Sequence, residues 1–101
     1  MLQHYVFIRY AAGTPVEHVA EFCRRMLALR DEIPQIRSLV IGQDMLHEAR
    51  SWDLILIMRF DSVESLRVYQ KHPLHVAVMQ FNQPHVSDVG AVDFMDADAA
   101  G

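Results

Sequence analysis

The stretch YQKHPLHVAVM, residues 69–79, sets Tyr69, His72 and His75 around Pro73. Two imidazoles and a phenol so close together can take up, hold and return a proton near neutral pH. Pro73 decides how they are presented. A proline drives the preceding residue out of the α region, so the helix carrying Tyr69 should stop near Lys71, leave His72 non-helical and let Pro73 open a second short helix. His75 then lies in a first helical turn, beside unpaired N–H groups and the positive end of the helix dipole, where an added proton is disfavoured. A neutral imidazole in that position is a candidate general base. Plainer readings stand beside this one. His72 reads as a boundary residue whose ring bonds a carbonyl or water, and Tyr69 as a core aromatic with its hydroxyl at the surface. His4 ends an apolar stripe with Val6 and Ile8 as same-face neighbours, so it is either structural or turned into the same cavity.

Other chemistries find less support. Cys23 sits on the apolar side of a helical pattern, and no serine occupies a nucleophile elbow, which speaks against acyl-enzyme chemistry. His72, His75, His85, Asp88 and His4 are the residues that a metal or haem site could draw on. There is, however, no H-E-x-x-H and no cysteine pair, so neither metal nor cofactor is assigned, and metal or haem binding is kept as the lesser alternative. The four glycines are scattered, without a phosphate loop. Net charge is −4 with 22% charged residues, so no basic surface invites nucleic acid or an anionic membrane.

The sequence predicts a single domain over residues 1–95 followed by a frayed acidic tail, 96–101, because a chain of 101 residues that is 51% apolar can build one modest core. No apolar run reaches the ~18–20 residues of a membrane span. The start MLQHYVFIRYAAG lacks the pattern of a secretory leader. A single cysteine permits no internal disulfide, and these features together predict a reducing, cytoplasmic location.

These residues need elements to position them. HYVFIRY, residues 4–10, reads as a strand closed by a turn at AAG. TPVE follows as a capping box, with Thr14 as N-cap and Pro15 at the first helical position. The helix it opens should bury Val16, Val19, Ala20, Cys23, Met26 and Leu27, with Ile33 near its end at Pro34. IRSLVIGQDML is a second strand weakening at Gly42, and HEARSW a hairpin loop. DLILIMRF is a third strand with neither face polar, so both faces should be buried. A helix capped by Asp61 or Ser62 carries Val63, Leu66 and Tyr69, and HVSDVGAVDF passes as the last strand.

The order β-α-β-β-α-β predicts an α+β, ferredoxin-like fold: a four-stranded antiparallel sheet with its helices on one face. The opposite face would then show an apolar patch larger than soluble monomers tolerate. The expected partner is a second copy packed through that open sheet face, its sheet roofing the space into which His4 and His75 look.

QHYVFIRY at the start, IP before the second strand, FDSVESLRVYQKHPLH in the middle and DF near the end resemble the stress-responsive α/β-barrel (Dabb) domain family. The resemblance runs from Met1 to about Met95, and Y-x-x-H-P-x-H with the early histidine is its most specific part. It implies a ferredoxin-like unit paired as a dimeric α/β barrel. Many members are known only as stress-induced or of unknown role, while plant polyketide cyclases of this type close a poly-β-ketone by an aldol step without a cofactor. In these cyclases the positions matching His4 and His75 contact the reacting chain, and Tyr69 would hold a substrate oxygen or orient a histidine. The resulting expectation is a barrel that binds a small, largely apolar or polyketide-like ligand. His75 would act as base for proton transfer or aldol-type cyclisation, in a pocket lined by Val6, Ile8, His72 and Met79; in a binding module, Met45, Met58 and Met79, if they face inward, would give an adaptable lining suited to loose ligand selection. The alternative is a non-catalytic stress-response or ligand-binding module.

Overall fold

The computed structural model describes residues 1–96, so the expected acidic tail beyond Asp96 lies outside the described residues. The elements are β1 (Leu2–Tyr10), α1 (Val16–Glu32), β2 (Ser38–Gln43), β3 (Leu54–Phe60), α2 (Val63–Lys71), α3 (Pro73–Asn82) and β4 (Val86–Met95), with a 3-10 turn at Gln83–His85 before β4. The strands form one antiparallel sheet in the order β2-β3-β1-β4. α2 and α3 are the two halves of the second helical connection, parted at Pro73. This is the ferredoxin-like β-α-β-β-α-β arrangement, with the helices on one face.

Alternation along the central strands sorts their side chains. Leu2, His4, Val6 and Ile8 of β1 pair with Phe60, Met58, Leu56 and Leu54 of β3 and face the helices. There they meet Phe22, Met26 and Leu29 of α1, Leu66 and Tyr69 of α2, and Val78 of α3 in one buried cluster. β3 is therefore two-faced in a single chain. Leu54, Leu56, Met58 and Phe60 are buried, while Ile55 and Ile57 are only half-buried and Arg59 is exposed. On that outer face Tyr5 packs on Phe94 (ring centroids 5.5 Å apart) and Phe7 on Trp52 (5.9 Å). Val40, Val92 and Phe94 are exposed there. Gly42, expected to weaken β2, stays paired with Ile55, whose Cγ2 lies 3.0 Å from where a Cβ would stand.

α1 departs from expectation at its start and in its buried stripe. Thr14 does not cap it: its hydroxyl donates instead to the Ala11 carbonyl at 2.7 Å, within the turn that Gly13 makes at φ 83°, and Pro15 takes the N-cap position. The buried stripe is Phe22, Met26 and Leu29, continued by Ile33, while Val16 is 80% exposed and Leu27 faces outward. Only Met26 and Ile33 of the expected set are fully buried. Val19 and Cys23 flank the stripe as partly buried neighbours.

Candidate functional site

His75 is held by the helix break. α2 ends at Lys71, His72 has extended backbone, and α3 begins at Pro73. The His72 ring turns back to cap α3, its Nδ1 accepting from the Leu74 N–H at 3.1 Å. That places His75 in the first turn of α3, with Nδ1 3.1 Å from the Gln70 carbonyl at the end of α2. A carbonyl can only accept, so Nδ1 carries the ring proton and Nε2 of the neutral ring keeps its lone pair. Burial holds the His75 pKa below the ordinary imidazole value against that carbonyl, and positive charge on His4 or His72 would lower it further.

Tyr69 lies near the end of α2, across the helix break, its ring centroid 4.3 Å from that of His75 and 5.2 Å from that of Phe60. It is 2% exposed, and burial pushes its phenol well above the usual range, so the hydroxyl stays protonated. Among the described residues that hydroxyl has no hydrogen-bond partner, and none of their sealed side-chain polar atoms goes unpaired, so it opens on the cavity it borders. His4 sits on the sheet wall, buried, edge-on to Phe60. Its Nδ1 is hydrogen-bonded to the carboxylate of Asp93, directly across the β1–β4 ladder.

These groups border one open cavity of about 510 Å³ between the sheet and the α2–α3 pair. His4, Tyr69 and His75 meet there, with Val6, Ile8 and Met79 among the apolar walls. Three expectations need correcting. His72 does not line the cavity, because its ring is committed to capping α3. Met45 lies exposed in the β2–β3 connection, and Met58 is sealed in the core. The space is also not roofed by a partner's sheet: it lies on the helix side, opposite the bare face, because His4 shares its parity with Leu2 and Ile8 and not with Tyr5 and Phe7.

Sequence reasoning missed two polar residues here. Asp93 belongs to the DF that carries part of the family resemblance, but its pairing with His4 requires the β1–β4 register. Asn82 lies seven residues beyond His75 on α3, borders the cavity and is buried. Its Oδ1 accepts from the Tyr10 hydroxyl at 2.7 Å and from His18 Nε2 at 3.0 Å. Among the described residues no three His, Cys, Asp or Glu side chains gather where they could hold a metal ion, and no helix is long and apolar enough to cross a membrane.

A family model for the stress-responsive A/B barrel domain matches residues 2–96. Solved structures share the fold. A dimeric ferredoxin-like protein of unknown function from Thermobifida fusca is 25% identical, with 92% of this chain and 88% of that one covered at a TM-score of 0.82. A dimeric protein of unknown function and ferredoxin-like fold from Bacteroides fragilis is also 25% identical, covering 92% and 93% at 0.78. The hydroxynitrile lyase of Passiflora edulis is 15% identical, covering 97% and 94% at 0.85, a likeness of fold alone. Comparison with curated proteins gives no match.

Proposed function

Because this chain belongs to the stress-responsive A/B barrel domain family, we propose that it binds a small, largely apolar carbonyl compound between its sheet and α2–α3 and moves a proton on it without a cofactor. His75 Nε2 is the base. It takes a proton from the carbon next to a carbonyl, and the electron pair left behind moves onto the carbonyl oxygen as an enolate. Tyr69, which burial keeps protonated, donates to that oxygen, with His4, steadied by Asp93, facing the same cavity from the sheet wall, and the His75 imidazolium returns the proton it took, to the enolate carbon or to the new alkoxide. The enolate carbon can then be reprotonated, or attack a second carbonyl of the same chain in an aldol-type closure. The observation that carries this reading is the hydrogen bond from His75 Nδ1 to the Gln70 carbonyl, which leaves the other ring nitrogen a free acceptor beside a buried phenol. The likeness to a hydroxynitrile lyase concerns the scaffold. The chemistry rests on the side chains in this cavity.

We infer also that two chains pair through the outer sheet face. Support comes from the exposed Val40, Val92 and Phe94 around half-buried Ile55 and Ile57, and from solved neighbours that are dimeric.

The test is proton exchange at the α-carbons of 2-heptanone in D2O, followed by NMR. The protein should accelerate exchange, and His75→Ala should remove about 10²- to 10⁴-fold of the rate while leaving Tm close to wild type. Unaltered exchange in a folded His75→Ala protein would leave the non-catalytic binding module as the better reading.

A further inference from the structure

The cavity has a second polar end. His75, Met79 and Asn82 follow each other on α3 at steps of four and three, one stripe turned to the sheet, and all three border the cavity. Seven residues of helical rise separate His75 from Asn82 by about 10 Å along the axis. Asn82 is 3% exposed, although amide side chains are mostly found at surfaces. Its oxygen is used twice, by the Tyr10 hydroxyl and by His18 Nε2–H, which takes both lone pairs of a carbonyl. What remains is the NH2. It has no protein partner among the described residues, and none of their sealed side-chain polar atoms goes unpaired, so this group opens on the cavity that Asn82 borders. A donor without a protein partner is free for a ligand's acceptor to take.

We propose that Asn82 selects the ligand: its NH2 donates to a neutral carbonyl oxygen about 10 Å along the pocket from the carbon that stands at His75, so the preferred ligand is an extended chain bearing two oxygen functions. The far oxygen is neutral on charge grounds. Asp88 borders the cavity with its charge already answered by Arg9 at 3.5 Å, and none of the described lining residues is Lys or Arg, so a ligand carboxylate would be taken from water without a cation of its own. Tyr10 and His18 are positioning residues. Burial raises the Tyr10 pKa to about 12, so it keeps the proton it gives to Asn82. The His18 ring is stacked on Phe81 at 4.6 Å and lies 4.0 Å from His85, which fixes the second contact. The inference rests on the reading of this cavity as the ligand site, and does not require that His75 be catalytic.

Methyl 7-oxooctanoate and 2-decanone have the same methyl ketone end and the same chain length, and only the first carries a second carbonyl. Titrated into 15N-labelled protein, the keto ester should move the Asn82 side-chain NH2 resonances and 2-decanone should not. Asn82→Asp keeps an oxygen for Tyr10 and His18 but replaces the donor, and it should cut the keto ester's affinity advantage over 2-decanone about five- to tenfold. The same measurement on a His75→Ala background excludes turnover. An Asn82 NH2 that stays still at saturation, or an advantage that survives Asn82→Asp, overturns the proposal. Failure of both probes to bind overturns this and the ligand site together. Selective binding without α-proton exchange upholds Asn82 and defeats only the catalytic reading.

Discussion

His4 and Asp93 are cross-strand partners on β1 and β4, joined by a hydrogen bond from imidazole Nδ1 to carboxylate. The sheet register thus fixes the tautomer and direction of a cavity histidine from outside the cavity. The Asp93 side chain is 41% exposed, so replacing it does not open the core. Asp93→Asn should lower the α-proton exchange rate by less than the ~10²- to 10⁴-fold expected for loss of the base itself, with Tm near wild type. Steady-state exchange kinetics beside a melting curve check this, and an Asp93→Asn rate equal to wild type would show that His4 needs no anchoring.

The pH dependence follows from His75. Burial lowers its pKa, so the neutral, basic form persists to a lower pH than in a free imidazole. Exchange should rise with pH and reach its plateau with a midpoint below about 6.5, and the rise should vanish in His75→Ala. The same shift acts on stability. A histidine whose folded pKa is depressed contributes stability that is full above its unfolded pKa and is lost as pH falls through the folded value. Wild type should therefore lose stability on acidification below about 6.5 more steeply than His75→Ala, as denaturant titrations at several pH values would reveal.

Packing on α1 separates two residues that hydropathy alone ranks together. Phe22 is fully buried in the core, and Phe22→Ala should cost about 3–5 kcal/mol. Leu27 is 39% exposed on the other side, and Leu27→Ala should cost less than about 1 kcal/mol. Urea unfolding of the two variants gives the comparison, and equal losses would mean that α1 is rotated about its axis.

The outer sheet face gives the assembly prediction. Ile57 sits at its middle, paired with Tyr5 and Val40. Size exclusion with light scattering should find the wild type at twice the chain mass, and Ile57→Glu at the chain mass with its helical signal intact. A wild-type monomer would remove the pairing.

Much of this was legible because it is local. Pro73 dictates the helix break, Ser62 caps α2 by accepting from the Ser65 N–H, and period-two alternation puts His4 with Val6 and Ile8. The less legible parts depend on what packs against what. Val19 and Cys23 carry a helical spacing as good as that of Phe22, Met26 and Leu29, and only the sheet and α3 decide which stripe goes inward. Thr14 satisfies a capping pattern, yet the turn from β1 offers its hydroxyl the Ala11 carbonyl first. The side of the sheet on which the cavity lies could have been read from parity, since His4 cannot look the same way as Tyr5 and Phe7. Asp93 required a register, and Asn82 required knowing that α3 turns the His75 stripe toward the sheet.

The described residues that line the His75 cavity lie on the helix side of the sheet, and the surface proposed for pairing lies on the far side. Pairing as proposed would therefore leave each proposed reaction centre within its own subunit. In a mixed assembly, one intact protomer beside one lacking His75 should retain half the turnover of the parent, without dominance or complementation. A gene duplicate could lose or change its chemistry while still serving its sibling as a scaffold.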